Sequence, residues 1–282
     1  MLVNEAIAFA EQELKRSNNL NSRLDSEILV SHLINIPRES IYSRLKENLP
    51  SNKTEELQNL VSRRVKKEPI AYILNNKEFW STNFYVDRSV LIPRPETEVL
   101  IDLILSKINN KNNYLNILDI GTGSGCILVS LLKELTKAKG IGIDKSSKAI
   151  AVAKKNSTSQ HVDSRSSFKN INLENIKFDK KFDLIVSNPP YLPDVSLKNL
   201  NLDIKLYEPK IALQGGVQGV DFLCKIITLA SKILKINGLL ALEIGDNQFR
   251  ILAKYLNKNR FKILDKYILI NKQVRCLLAT KL

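Results

Sequence analysis

Two short segments hold residue types that can do chemistry together. The first is Gly121-Thr122-Gly123-Ser124-Gly125, which follows the apolar run Leu118-Asp119-Ile120 and precedes a helical pattern from Cys126 to Lys137. Glycines there permit positive φ and let the backbone approach a ligand closely, while the helix start offers unpaired N–H groups. The spacing is G-x-G-x-G rather than the G-x-G-x-x-G that seats a pyrophosphate, which argues against a dinucleotide. Asp144 closes the next apolar run roughly 20 residues on, the place of an acid that accepts the ribose hydroxyls of a nucleoside. The second segment is Asn188-Pro189-Pro190-Tyr191, directly after Asp183-Leu184-Ile185-Val186-Ser187. Two successive prolines fix φ and bias Asn188 away from the helical region, so its side chain and the nearby carbonyls are presented rigidly.

An amide or aromatic amine nitrogen is nearly non-basic and attacks a methyl sulfonium only when oriented. The side-chain carbonyl of Asn188 and the main-chain carbonyl of Pro189 can accept its two N–H bonds and turn the lone pair toward the methyl. The same oxygens stabilise the positive charge that grows on the nitrogen, an oxyanion hole with its polarity reversed. The methylated nitrogen becomes acidic and loses its proton late, so no strong base is needed. Tyr191 would pack its ring against the planar group. These residues point to S-adenosylmethionine-dependent methyl transfer onto a planar nitrogen, amide or base amine. Each segment also has a plainer reading: a tight strand-to-helix turn with Asp144 capping the next helix beside Ser146 and Ser147, and a proline-terminated strand entering a surface loop.

The elements that must position these residues follow from the apolar pattern. Strand candidates are 116–120, 140–144, 168–173, 183–187, 239–244, 261–264 and 274–280, with helical patterns between most of them. Such alternation predicts an α/β fold, a doubly wound and mostly parallel seven-stranded sheet, whose ligands lie beyond the carboxyl ends of the strands. Before it, from Leu2 to about Leu74, apolar residues recur at helical spacing, as in Ile7, Ala10, Leu14 and in Leu24, Ile28, Leu29, His32, Leu33. Pro37 and Pro50 punctuate that stretch, and Ser51 is a candidate cap for a helix over 54–65. The aromatic-rich 78–86, with Ser81-Thr82-Asn83 as its turn, reads as a β-hairpin. The expected organisation is a small helical domain over 1–75, a hairpin connector over 76–93 and a catalytic domain over 94–282.

The 282 residues suit one domain of about 200 residues plus a smaller one. Hydrophobic content of 44% and charged content of 26% belong to a chain that buries a core. No apolar run reaches the roughly 18 residues that span a bilayer, and the N-terminal stretch carries acids within an amphipathic pattern, so a cytoplasmic protein is expected. Cys126, Cys224 and Cys276 are widely spaced and His32 and His161 are the only histidines, which excludes a disulfide framework and leaves no metal site to expect. The net charge of +14 suits an anionic partner, but the lysines are scattered rather than gathered in a stripe, so nucleic acid contact is allowed and not required.

Several stretches in order carry a family resemblance: Glu68-Pro69-Ile70-Ala71-Tyr72, Glu78-Phe79-Trp80, Leu91-Ile92-Pro93-Arg94-Pro95-Glu96-Thr97-Glu98, Leu118 to Gly125, Ser187 to Tyr191, Tyr207-Glu208-Pro209, Gly215-Gly216 and Leu242-Glu243-Ile244-Gly245. Over nearly its whole length the chain resembles the release factor glutamine methyltransferases, the HemK or PrmC group. The resemblance implies methylation, from S-adenosylmethionine, of the side-chain nitrogen of the glutamine in the Gly-Gly-Gln tripeptide of class I peptide chain release factors. It also implies that Gly121, Thr122, Gly123, Ser124, Gly125, Asp144, Leu173 and Asn188 contact the cofactor. Asn188, Pro189, Pro190 and Tyr191 would hold the glutamine, with Asn188, Pro189 and Tyr191 as the catalytic set, and the helical unit would help dock the factor. Asn172-Leu173 stands where the family often has Asp-Trp or Asp-Leu, and Gln218 where Asp is common after the Gly-Gly pair. Arg94 to Glu98 reads equally as a helix cap and as part of a lid or substrate site, and Glu208 as a pocket residue or a loop anchor. The competing functions are glutamine methylation of a ribosomal protein, whose enzymes tend to carry Arg-Ser-Pro where this chain has Arg94-Pro95-Glu96, and exocyclic-amine methylation of nucleic acid, for which no added basic recognition domain is evident.

Overall fold

The computed structural model describes residues 1–176, 178 and 180–282. The chain forms two compact units, Met1–Asn75 with Asn201–Tyr207, and Asn76–Leu200 with Glu208–Leu282.

In the first unit, α1 (Val3–Arg16), α2 (Ser22–Leu33), α3 (Lys53–Val65) and α4 (Ile70–Leu74) enclose a core that includes Ile7, Ala10, Leu29, Ile41 and Leu57. The helical spacing of Ile7, Ala10 and Leu14 marks the buried stripe of α1. In α2 the expectation is partly wrong, since Leu24 and His32 face solvent. Its buried face instead includes Asp25 and Glu27, and cations offset the desolvation of both. Asp25 accepts from Arg64 Nε at 2.7 Å, and Glu27 from Arg23 Nε at 2.7 Å and the Tyr42 hydroxyl at 2.6 Å. Helix α3 starts at Lys53 with Asn52 in the cap position and no side-chain cap bond, so Ser51 is not its cap.

The second unit runs β1 (Lys77–Phe79), β2 (Thr82–Phe84), α5 (Pro95–Leu105), β3 (Asn116–Ile120), α6 (Cys126–Glu134), β4 (Lys139–Asp144), α7 (Ser147–Ser159), β5 (Ser166–Asn170) and β6 (Phe182–Ser187). After α8 (Leu202–Tyr207), which belongs to the first unit although it falls within 94–282, come α9 (Asp221–Ile233), β7 (Leu234–Glu243), α10 (Phe249–Lys258), β8 (Phe261–Ile268) and β9 (Val274–Lys281). The seven-stranded sheet has the order β5-β4-β3-β6-β7-β9-β8, parallel through β7 and antiparallel at β9. Both faces are covered, as a mainly parallel sheet requires. Ile117, Leu184, Val186 and Ala241 join the core on one face, and Leu118, Ile185, Leu240 and Leu242 the core on the other.

Several boundaries differ from the sequence expectation. The hairpin turn is Trp80-Ser81, both at positive φ, while Thr82 and Asn83 are already paired in the strand. Trp80 is held there by Glu98 Oε1 on its backbone N–H at 3.1 Å and Glu134 Oε1 on its indole N–H at 3.0 Å. Strand β5 ends at Asn170, so Leu173 opens a short 3₁₀ turn instead of closing a strand. Helix α6 stops at Glu134 because Leu135 leaves helical geometry at ψ 83°.

Chain order reverses in the sheet between β3 and β6, which makes this the switch point where open sheets bind ligands. The Ser187 hydroxyl donates to Ile120 O at 2.6 Å and ties the two strand ends together.

Candidate active site

A cleft of about 970 Å³, counted with the solvent-filled space at its mouth, lies at that switch point. Its wall includes Gly121, Thr122, Gly123, Ser124, Asp144 and Leu173 from one side and Asn188 and Pro190 from the other. Gly125, Pro189 and Tyr191 do not line it, so three of the residues singled out in the sequence stand behind the wall.

The glycine side is a main-chain construction. Ile143 O accepts from the N–H groups of Gly121 and Thr122, each at 2.9 Å, which docks the turn on the end of β4. Gly121 has φ +73° and a Cβ there would meet nothing within 4 Å, so the backbone presents a bare face to open space. Gly125 has φ +79° for a different reason: its Cβ would lie 3.1 Å from that of Ala153, and its absence lets α6 start close against α7. Asp144 Oδ2 accepts from Gly123 N at 3.1 Å and Oδ1 from Ser146 N at 2.9 Å. Burial raises its pKa while those N–H bonds oppose the rise. A carboxylate has about four acceptor positions, so both oxygens can still receive hydroxyls. The cap of α7 is the Ser146 side chain, which accepts from Ala149 N at 3.2 Å, so Asp144 is not spent on capping. Beneath the turn, Asp119 accepts from the Thr122 hydroxyl at 2.7 Å, and full burial pushes its carboxyl up to about 7.

An acid facing a bare glycine turn, with the apolar Leu173, Ile211 and Phe222 also on the wall, suits a nucleoside: hydroxyls for the acid, a flat base for the apolar groups. The donor set fits S-adenosylmethionine. Gly121, Gly123 and Asp144 would hold its ribose and backbone-facing edge, Leu173 and Phe222 its base.

The opposite side is made of side chains. Asn188 Nδ2 donates to Thr97 Oγ1 at 3.1 Å, Thr97 Oγ1 donates to Glu243 Oε2 at 2.6 Å, and the Tyr191 hydroxyl donates to Glu243 Oε1 at 3.0 Å. Strand register brings these together, since Ser187 on β6 pairs with Leu242 on β7 and the next residue of each strand is Asn188 or Glu243. Thr97 reaches in from the first turn of α5, which Pro95 opens at a position where its missing N–H costs nothing. Burial raises the pKa of Glu243, opposed by the Thr97 and Tyr191 hydroxyls and by the Arg275 cation. The Tyr191 hydroxyl is likewise pushed up by burial and by the adjacent Glu243. The Arg275 guanidinium lies 5.4 Å from the Tyr191 ring centroid.

A tight loop backs Pro190-Tyr191. A Cβ on Gly215 would come within 2.8 Å of Pro190 O, and one on Gly219 within 2.2 Å of Tyr191 O. The buried Gln248 amide donates to Tyr191 O at 2.8 Å while its oxygen accepts from Gly245 N at 2.8 Å. Glu208 is an anchor: it accepts from Ile92 N at 3.2 Å and pairs with Arg94, and does not itself line the cavity. Thr97, Glu243 and Gln248 were missed as site residues. Thr97 falls within Arg94 to Glu98, which reads as a helix cap or as part of a lid or substrate site, Glu243 within Leu242 to Gly245 with no role of its own, and no spacing joins residues so far apart in the chain to Asn188.

Residues 5–74 match the family model described as PrmC N-terminal domain, and residues 111–273 the one described as methyltransferase domain. A release factor glutamine methyltransferase of Clostridium acetobutylicum is 36% identical over 250 residues, 88% of this chain and 87% of its own length. A bifunctional methyltransferase of Rickettsia felis is 38% identical over 278 residues, 87% of this chain, which spans 52% of that longer protein. Among solved structures, a methyltransferase from Pyrococcus furiosus superposes with a TM-score of 0.53 at 17% identity, over 81% of this chain and 98% of its own, and shares the fold.

Proposed function

The chain belongs to the release factor glutamine methyltransferase family, and from that premise we propose that it moves a methyl group from S-adenosylmethionine to the side-chain nitrogen of the glutamine in the Gly-Gly-Gln tripeptide of class I peptide chain release factors. The observation that carries the reading is the state of Asn188. Its Nδ2 is committed to Thr97, so the amide turns its Oδ1 away from that bond, on a side chain that lines the same cavity as the glycine turn and Asp144.

When bound, the cofactor supplies an electrophilic methyl sulfonium. The protein's work is orientation. Asn188 Oδ1 accepts an N–H bond of the substrate amide, which turns the nitrogen lone pair toward the transferable methyl and holds the reactants in near-attack geometry, while Pro189, which does not line the cavity, restricts the backbone that presents Asn188. Charge on the nitrogen grows from near zero to positive during transfer, so this oxygen binds the transition state more tightly than the ground state. Pro190, whose φ is fixed, keeps the segment from relaxing. Tyr191 acts from behind the wall, its hydroxyl fastened to Glu243 and its carbonyl to Gln248. The helical unit Met1–Asn75 is the proposed docking element for the factor, and a translation substrate supports a cytoplasmic location. No helix among the described residues is long and apolar enough to cross a membrane.

The test offers labelled S-adenosylmethionine with a class I release factor, the same factor with its tripeptide Gln replaced, a ribosomal-protein mixture, or RNA and DNA. Label is expected on the first alone. Label on nucleic acid or on a ribosomal protein, with none on the factor, overturns the assignment.

A further inference from the structure

An amide side chain is nearly symmetric in shape: its oxygen and nitrogen differ little in size, so packing alone does not choose which one faces a cavity. The choice decides whether Asn188 accepts the substrate N–H bonds or opposes them with its own. We propose that Thr97 and Glu243 are positioning residues that set this choice, by passing a fixed hydrogen-bond polarity from a buried carboxylate to the Asn188 amide. The inference rests on the methyl-transfer reading given above.

The relay runs in one direction only. While ionised, Glu243 accepts and cannot donate, and it is 1% exposed, so water does not compete for its oxygens. The Thr97 hydroxyl, 2.6 Å away, therefore spends its single hydrogen on Oε2. What Thr97 has left for Asn188 is a lone pair, which Nδ2 satisfies at 3.1 Å. A reversed amide would set Asn188 Oδ1 against Thr97 Oγ1, two acceptors with no hydrogen between them. Without the carboxylate, the Thr97 hydrogen is free to turn toward Asn188, and both amide orientations become possible. The other carboxylate oxygen takes the Tyr191 hydroxyl, so one side chain registers the first and last residues of Asn188-Pro189-Pro190-Tyr191. Glu243 does not line the cavity, whereas Thr97 does, with its hydroxyl turned to Asn188 and Glu243. Both act through Asn188 and not on the substrate.

Thr97→Val is the incisive variant, because it keeps the shape of the side chain and removes the hydroxyl. Turnover on the release factor should fall roughly tenfold to hundredfold, the range for removing an outer partner of an active residue, with the melting temperature and cofactor affinity held near those of the wild type. Thr97→Ser, which returns the hydroxyl without the methyl, should recover most of the loss. Glu243→Gln should lower turnover in the wild-type background and cost less than that on top of Thr97→Val, since the two share the Thr97 bond while the Tyr191 bond belongs to Glu243 alone. Unchanged turnover in Thr97→Val, equal losses in Val and Ser, or fully additive losses in the double variant would each refute the relay. A second measurement stands apart from the substrate: NMR of the Asn188 side-chain amide should show slow exchange and contact with Thr97 in the wild type, both lost in Thr97→Val. A freely exchanging amide in the wild type rejects the relay, whereas a wild-type enzyme inactive on the factor with that contact intact rejects the function alone.

Discussion

At the ends of β3 and β4 the cavity wall is main chain, whereas at the ends of β6 and β7 it is a network of side chains. On the first side a bare glycine face meets the cavity, and the turn's N–H groups are spent within the fold, on Ile143 O and on Asp144, whose carboxylate two backbone N–H groups hold. On the second side each functional orientation depends on a neighbour: Asn188 on Thr97, Thr97 on Glu243, Tyr191 on both Glu243 and Gln248. A main-chain wall tolerates many substitutions around it but almost none at its glycines. A side-chain wall keeps its shape when one member is changed and loses its polarity. The cofactor is the same for every turnover and suits a fixed mould. The substrate amide must be oriented by a few directed bonds, and directed bonds come from side chains.

The comparison breaks most sharply at Asn188. Asn188→Ala should lower turnover by on the order of 10² to 10³, the cost of removing one preorganised contact to developing charge, while thermal stability stays near that of the wild type. A turnover close to the parent's would show that the side-chain wall does not orient the substrate. Next in size is Gly125→Ala. The new Cβ sits 3.1 Å from Ala153 in a backbone at φ +79°, so about 1–3 kcal/mol of stability should be lost. Calorimetry should show the loss with and without S-adenosylhomocysteine, and an unaltered melting temperature would mean the turn can relax in a way the rigid-mould account forbids. The smallest effect concerns the acids behind each wall. Asp119 has its pKa raised from 3.8 to about 7 in the folded state, so the folded protein binds more protons than the unfolded chain between those values. The stability this group contributes is complete below the lower value and is lost as pH rises through the upper one. Asp119→Asn, which does not titrate, should flatten the dependence of the melting temperature on pH across that window. An unchanged slope would place the sensitivity elsewhere, with Glu243 the next acid to test.

Much of the main-chain wall was legible in the sequence, and little of the side-chain wall beyond its first residue. Strand β3, the glycines and the end of β4 are consecutive in the chain, and glycine at a strand-to-helix turn states its own conformational reason. The prolines after Ser187 likewise announce a rigid strand end. Thr97 on α5 and Glu243 on β7 lie 146 residues apart and meet only because α5 packs against β7, which no local pattern encodes. Gln248 reads as an ordinary polar residue before α10 until the fold buries it against Tyr191 O. The helical unit misleads in α2 for a related reason: its spacing suits Leu24 and His32 as core, yet Asp25 and Glu27 are buried, with Arg64 reaching Asp25 and Arg38 and Tyr42 reaching Glu27 from outside the helix. Strand β5 was placed too late because as an edge strand it buries only Phe168 and carries no apolar run.

The central claim, that the side-chain wall orients the amide of a glutamine for methylation, is tested most directly by peptide mass spectrometry on a class I release factor after reaction with this protein and S-adenosylmethionine. One added methyl group on the side-chain nitrogen of the Gly-Gly-Gln glutamine, absent when Asn188→Ala replaces the wild-type protein, is the predicted result. Methylation at any other residue, or at that glutamine with undiminished yield from Asn188→Ala, would contradict it.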